Sequence, residues 1–106
     1  MTSVAPVSAS GINFAAVSES ATGEVIEAVA GKSIVVVSVF LSNTTAQSVT
    51  FSSASTAITG AMAMATLGSL SASSPAGLFA TAPGEALNVT LSGSTLLAGT
   101  IAYYLT

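Results

Sequence analysis

The chain has 106 residues, of which 51% are hydrophobic and only 5% are charged, namely four glutamates and one lysine. It contains no histidine and no cysteine, which excludes an ordinary zinc, haem or iron–sulfur site, a disulfide framework, and a histidine base or thiolate nucleophile. One cation is too few for phosphate-directed binding of nucleic acid, whose affinity grows with the number of neutralised phosphates. The composition therefore predicts no metal, no cofactor and no nucleic-acid partner.

The apolar residues are spread along the chain and form no membrane-spanning segment. The longest apolar stretch, residues 34–41, is interrupted by Ser38 and falls far short of the ~20 residues that a helix needs to cross a bilayer. Residues 1–14 have neither the basic region nor the continuous apolar segment of a secretory signal. We expect one domain that is synthesised in the cytoplasm and has no membrane partner.

The first 22 residues contain few large apolar side chains and include Pro6 and Gly11. This composition is typical of an extended segment that becomes ordered through contact with a neighbour. The sequence therefore predicts an extended N-terminal arm over residues 1–22 and a single β-sandwich domain over residues 23–106.

Short strands and turns follow the arm. A strand near residues 24–29 is followed by a turn at residues 30–32, where Gly31 supplies turn chemistry. Residues 34–41 are apolar on both faces of a strand, which predicts that the strand is covered on both sides. After a turn at residues 42–45, residues 48–52 alternate with Val49 and Phe51 facing inward.

Residues 54–70 are ambiguous, because alanine and methionine favour helix whereas Gly60 and Gly68 interrupt it. Met62 and Met64 alternate with alanines, a period of two that is typical of strands. The sequence therefore predicts a pair of strands in this region.

Three further turns separate the remaining strands, at residues 73–77, 82–84 and 92–94. Residues 85–92 alternate more regularly than any other segment, and residues 101–105 form a closing strand. Strands spaced by about ten residues with turns between them predict an all-β fold, an antiparallel β-sandwich or jelly roll. The inward side chains of these two strands are Leu87, Val89, Leu91, Ile101, Tyr103 and Leu105.

Charge is absent from two long stretches, residues 33–84 and 86–106. A monomer normally displays charge on its surface for solubility. Two interpretations remain open: the fold has a hydroxyl-rich surface, or much of its surface is covered by identical subunits or by a larger assembly.

No catalytic grouping can be identified. Glu24 and Glu27 are three positions apart, which places them on opposite faces of a strand, whereas glycoside hydrolysis needs two facing carboxyl groups. Lys32 and Ser33 are adjacent, so their side chains diverge, and the chain has no G-x-S-x-G elbow. The sequence predicts that the protein is not an enzyme.

Three short motifs occur in a recognisable order: A-G-K-x-I at residues 30–34, V-x-F-x-S at residues 49–53 and G-E-A-L-N at residues 84–88. This order resembles that of small structural proteins and domains of tailed bacteriophages. The resemblance covers residues 24–104, and it is the ordered combination of motifs that carries it.

The resemblance implies a β-sandwich component of a virion without catalytic residues. We expect a trimeric capsid cement, or decoration, protein that binds the major capsid protein on the capsid surface and stabilises the head. The alternatives are a tail, neck or baseplate subunit and, in a different class, a carbohydrate-binding β-sandwich with solvent-exposed Tyr103, Tyr104 or Phe79. The side chains expected to line the contact with another subunit or with the shell are Ile34, Val36, Phe40, Phe79, Tyr103 and Tyr104.

Overall fold

The structure is a computed structural model that describes residues 11–106. These residues contain no helix long and apolar enough to cross a membrane. They form two antiparallel sheets packed together, which confirms the predicted all-β sandwich. The strands are β1 (Asn13–Glu19), β2 (Gly23–Ile26), β3 (Ile34–Asn43), β4 (Gln47–Ser53), β5 (Thr56–Ala57), β6 (Met62–Met64), β7 (Ser69–Ser73), β8 (Phe79–Ala80), β9 (Leu87–Leu91) and β10 (Leu97–Leu105).

The chain passes repeatedly between the two sheets. The first sheet has the order β1-β10-β3-β7, and β8 also pairs with β3. The second sheet has the order β2-β9-β4-β5, and β6 also pairs with β4. Strands β1 to β4 therefore fall alternately in the first and second sheets, and the described chain begins and ends on neighbouring strands of the first sheet.

The predicted N-terminal arm is wrong for residues 13–19. These residues form β1, which pairs along its whole length with β10, from Asn13 opposite Tyr103 to Glu19 opposite Leu97. Val17 is 2% exposed and belongs to the core. The sandwich therefore begins before residue 23, because this strand pairs with β10 and its inward side chains Ala15 and Val17 pack in or against the core. Residues 1–10 of the predicted arm lie outside the described residues.

A bulge explains why residues 34–41 are apolar on both faces. The register between β10 and β3 shifts after Ala102, so that Val37 has no partner on β10. Because a strand has a period of two, one extra residue exchanges its faces. The core side chains are accordingly Ile34 and Val36 before the bulge, and Val39 and Leu41 after it.

The prediction that this strand is covered on both sides is correct only near its start. Val35 points away from the core but is 9% exposed, because the loop after β7 crosses it and Gly77 lies against its side chain. Phe40, beyond the bulge, is 62% exposed. The outer side of β3 is therefore open over its second half.

Residues 54–70 are strands, as predicted, but they do not pair with one another. Strands β5 and β6 both pair with β4 in the second sheet, whereas β7 pairs with β3 in the first. The alternation of methionine and alanine is confirmed, since Met64 is buried and Ala63 and Ala65 are exposed. The segment thus crosses from one sheet to the other between β6 and β7.

The core lies between the inner faces of the two sheets. Phe51 is 1% exposed and stacks against Phe79, with ring centroids 5.3 Å apart. Each fully buried large aliphatic or aromatic side chain contributes roughly 1.5–3 kcal/mol of hydrophobic stabilisation. The other large side chains that are almost wholly buried are Ile34, Val36, Leu41, Val49, Leu87, Val89, Leu97 and Ile101.

A buried amide pair closes one end of the sandwich. Asn43 donates from Nδ2 to the carbonyl oxygens of Thr45 and Ala65, at 2.6 and 3.0 Å. Gln47 donates from Nε2 to Asn43 Oδ1 at 2.7 Å and to the Thr95 carbonyl at 3.0 Å. These side-chain bonds link three loops and hold this end of the molecule in one arrangement.

Candidate interaction surface

The outer face of the first sheet consists of the side chains on β1, β10, β3 and β7 that point away from the core. Alternation with buried neighbours identifies them, since Phe14 lies beside Ala15 on β1, and Phe40 lies between Val39 and Leu41 on β3. We call this set the first outer face. Its members are Phe14, Ala16, Ser18, Ser38, Phe40, Ser42, Ser69, Ser71, Ser73, Ala98, Thr100, Ala102 and Tyr104.

Strand register arranges most of these side chains in three rows that run across the sheet. Each row contains one residue from β1, β10, β3 and β7, in that order. The two phenylalanines occupy different strands in adjacent rows. The rows are Phe14–Ala102–Ser38–Ser73, then Ala16–Thr100–Phe40–Ser71, then Ser18–Ala98–Ser42–Ser69.

Two aromatic rings project from a surface that otherwise consists mainly of small side chains. Phe40 is 62% exposed and Phe14 is 43% exposed. Most of the remaining members are alanine, serine or threonine, which stand only a short distance above the backbone. An open hollow of about 330 Å³ lies beside Phe40, and it is lined by Ser38, Val39, Phe40, Ser71, Ala72 and Ser73.

No glutamate or lysine belongs to the first outer face. Glu19 has the inward phase of β1, and its Oε1 lies 3.4 Å from where a Cβ on Gly23 would stand. Glu24 is on β2, and Glu27 and Lys32 are in the connection to β3. Glu85, which precedes β9, accepts a hydrogen bond from Ser53 Oγ. Glu19 therefore lies at the end of β1 on the inner side of the first sheet, and the other four charged side chains lie on the second sheet or in the connections between strands.

Two of the residues predicted for an interface are core residues. Ile34 and Val36 are both 0% exposed, so neither can contact another molecule while the sandwich is closed. The prediction fails because the bulge turns both side chains into the core, although an apolar run of this kind is typical of a strand that is covered on both faces.

The four aromatic residues predicted for an interface divide between the two sides of the first sheet. Phe79 and Tyr103 are half-buried and pack against the core. Phe40 and Tyr104 point outward, and Tyr104 is half-buried opposite Val35. Tyr103 and Tyr104 thus lie on opposite faces of β10 and do not form one platform.

Sequence reasoning missed Phe14, which contributes the second ring of this surface. The alternation of Phe14 with Ala15 and Val17 was available as a strand signal, but it was short and lay next to residues typical of an arm. Pairing with β10 makes the strand recognisable.

An exposed leucine at the closed end of the sandwich was also missed. Leu67 is 81% exposed and has a φ of 56°. Its amide donates to the Thr44 carbonyl at 3.3 Å, and Thr44 donates to the Leu96 carbonyl. Nothing in the local pattern of the sequence indicates that this leucine would leave the core, because its position depends on the loop that joins the two sheets.

Potential metal ligands are not clustered in the described residues. Residues 11–106 contain no group of three or more potential acidic, histidine or cysteine ligands that could hold a metal ion. An uncharged face of small side chains with projecting rings can be covered by another surface without leaving a charge unpaired.

Comparisons of this chain with protein-family models, with curated proteins and with solved structures found no match.

Proposed function

We propose that this chain is a structural protein of a tailed-bacteriophage virion, a homotrimeric cement protein that binds the major capsid protein and stabilises the head. The observation that carries the proposal is the first outer face, which is uncharged and displays Phe14 and Phe40 to solvent. Large side chains exposed together on one face are typical of a surface that a partner covers.

Strand order supports the finer assignment to a jelly roll. A jelly roll arranges eight strands in two sheets through two Greek keys, and it is an architecture of viral capsid and lectin domains. The short strands β5 and β6 share one position beside β4, and β7 and β8 share one position beside β3. Counted in this way, the chain fills eight positions, with the first and last strands adjacent.

The scarcity of charge supports a subunit that is covered in its working state. An exposed phenylalanine gains roughly 25 cal/mol for each Å² of apolar surface that a partner removes from water. Serine and threonine hydroxyls rotate to find acceptors in a partner. The first outer face has no charged groups, whose desolvation is the largest cost of burying a surface.

Two measurements test the proposal. Multi-angle light scattering on the recombinant chain at micromolar concentration is expected to give three times the chain mass of 10.2 kDa. Purified virions of the phage that encodes the chain are expected to contain it in a copy number that follows the icosahedral symmetry of the capsid. A monomer that is also absent from virions would overturn the proposal.

The position of the protein on the particle distinguishes the nearest alternative. A tail, neck or baseplate subunit would show the same uncharged face, but its copy number would follow the symmetry of the tail. An electron-microscopy map of the intact particle separates the two.

A carbohydrate-binding role has one observation in its favour, the position of Phe40 among Ser38, Ser71 and Ser73. Phe79 and Tyr103, two of the aromatic residues expected to bind a sugar, are less suitable, since they pack against the core. Binding to a glycan array that is abolished by Phe40→Ser would support this alternative against the cement protein.

A further inference from the structure

We propose that the first outer face is the contact between copies of this chain, and that Phe14 of each copy seats in the hollow beside Phe40 of the next copy. The arrangement is a closed ring of three subunits around an axis parallel to the strands. This inference rests on the proposed homotrimer and names the surface that forms it.

The positions of Phe14 and the hollow on the sheet fit a head-to-tail contact. Phe14 stands on β1, at one margin of the first sheet, and the hollow lies between β3 and β7, at the other margin. A ring of identical subunits requires two different, complementary patches on each copy, which must lie on separate parts of the surface. The two margins of the first outer face satisfy that requirement.

Register places the ring and the hollow at the same height along the strands. Phe14 is opposite Ala102, Ala102 is opposite Ser38, and Ser38 is opposite Ser73. Rotation about an axis parallel to the strands leaves height unchanged, so Phe14 of one copy arrives level with Ser38 and Ser73 of the next. No sliding of one sheet past the other is needed.

The placement of charge allows a second copy to cover the first outer face. Each copy has a net charge of −3, so two copies repel one another wherever their glutamates approach. The first outer face holds none of the glutamates, whereas the outer side of the second sheet carries Glu24. Contact through the first sheet keeps the charged groups of neighbouring copies apart.

Side-chain size permits close approach. Ala16, Ala98 and Ala102 lie in the three rows around the two rings, and such small groups let the margins of neighbouring sheets approach closely. The rings then fill the space that the small side chains leave open.

Disulfide cross-linking tests the inference, because the chain has no cysteine of its own. The double variant Ala16→Cys, Ser71→Cys keeps both rings and places one thiol at each margin of the same row. Within one copy the two positions are three strand spacings apart, about 14 Å, which is beyond the ~7 Å Cα separation that a disulfide can bridge. Mild oxidation is expected to give covalent trimers that a reductant returns to single chains.

The second sheet offers a matched control. Glu24 and Ala57 also lie in one row and are separated by three strand spacings, through Asn88 and Ser52. The variant Glu24→Cys, Ala57→Cys is expected to give no covalent trimer under the same oxidation. The single variants Ala16→Cys and Ser71→Cys are likewise expected to give none.

Substitution of the inserted ring provides a second measurement. Phe14→Ser is expected to raise the concentration at which half of the trimer dissociates by at least about tenfold, while the denaturation midpoint of the isolated subunit stays close to that of the original chain. Circular dichroism distinguishes unfolding of the subunit from loss of association. If Phe14→Ser unfolds the subunit, the inference is tested by cross-linking of the Ala16→Cys, Ser71→Cys variant, which keeps both rings.

Failure of this inference can be distinguished from failure of the proposed function. A trimer by light scattering that does not cross-link through residues 16 and 71, or that cross-links through residues 24 and 57, would overturn the interface and leave the trimeric cement protein standing. A monomer at all concentrations would overturn both the interface and the trimer.

Discussion

The two outer faces of the sandwich differ in chemistry although they are built on the same architecture. The first outer face combines small residues with two exposed rings and has no charged side chain. The second outer face, defined by the outward side chains of β2, β9, β4, β5 and β6, consists mainly of hydroxyl and amide groups with one carboxylate. Its central members are Glu24, Ser48, Thr50, Ser52, Ala57, Ala63, Asn88 and Thr90.

The core and the first outer face therefore differ in role: the core stabilises the fold, and we propose that the first outer face contacts a partner. Both sheets contribute aliphatic side chains to one core, and that core is complete without Phe14 and Phe40. On the second outer face, the side chain of Asn88 is engaged within the chain, since its Nδ2 donates to the Ala54 carbonyl at 2.8 Å. The exposed rings of the first sheet lie outside that core, and we therefore propose that they contact another molecule.

The largest loss of stability is expected from a substitution at Gly99, where β10 lies close to β3. A Cβ on Gly99 would overlap the carbonyl oxygen of Phe40 on the neighbouring strand, and Gly99 has a φ of 152°. Gly99→Ala must therefore separate β10 from β3, and we expect a loss of roughly 4 kcal/mol or more in the free energy of unfolding, at the upper end for single substitutions. Chemical denaturation measures it.

Gly60→Ala is the matched control, since no atom lies within 4 Å of its added Cβ. It is expected to change the unfolding free energy by less than about 0.5 kcal/mol. Equal effects at the two glycines would contradict the close approach of β10 and β3.

The contrast between inner and outer aromatic residues can be measured with two identical substitutions. Phe51→Ala removes a ring that is 1% exposed and stacked on Phe79, so it should lower the unfolding free energy by about 3–5 kcal/mol. Phe40→Ala removes a ring that is 62% exposed and should cost the isolated subunit less than about 1 kcal/mol. A comparable loss from Phe40→Ala in the monomer would show that the outer ring serves folding.

Two asparagines allow the same comparison for polar groups. Asn43 is 4% exposed and makes hydrogen bonds to two loops and to Gln47. Asn43→Ala leaves these buried partners without a donor or acceptor and is expected to cost about 2–3 kcal/mol in denaturant unfolding.

On the second outer face, Asn88→Ala should cost less than about 1 kcal/mol, because its one hydrogen bond is exposed to water. A larger loss from Asn88→Ala than from Asn43→Ala would reverse the ranking of the two sites.

A charge placed on each outer face tests which one is covered. Phe40→Glu puts a carboxylate among identical copies on the first outer face, so light scattering should show monomers where the original chain forms trimers. Thr90→Glu introduces the same side chain at an exposed position of the second outer face and should leave the trimer intact. If Thr90→Glu dissociated the trimer and Phe40→Glu did not, the contact between copies would lie on the second outer face.

The smallest effect is expected from salt. The chain has only five charged side chains, and none lies on the first outer face, so attachment to capsids and association between copies should change little between about 0.05 and 0.5 M salt. Sedimentation of the protein with capsids across this range measures it. A steep loss in moderate salt would indicate that charged residues such as Glu24, Glu27 or Lys32 carry the contact.

Much of the strand content could be predicted from the sequence. Val49 and Phe51, and then Leu87, Val89 and Leu91, alternate with polar residues, and all five are core residues of β4 and β9. A period of two is a local property of the chain, so it survives whatever the strands pair with. The candidate surface was predicted only in part, with Phe40 and Tyr104 on it and Ile34, Val36, Phe79 and Tyr103 turned toward the core.

By itself, the sequence determined the absence of histidine and cysteine, the class of the fold and the inward faces of β4, β9 and β10, because composition and alternation are written in consecutive residues. Only the tertiary structure decided that residues 13–19 join the sheet, that a bulge exchanges the faces of β3, and that Phe14 and the hollow beside Phe40 lie at opposite margins of one uncharged face. Each of these features depends on pairing between residues distant in the chain, such as Phe14 and Ala102, and local pattern does not encode register.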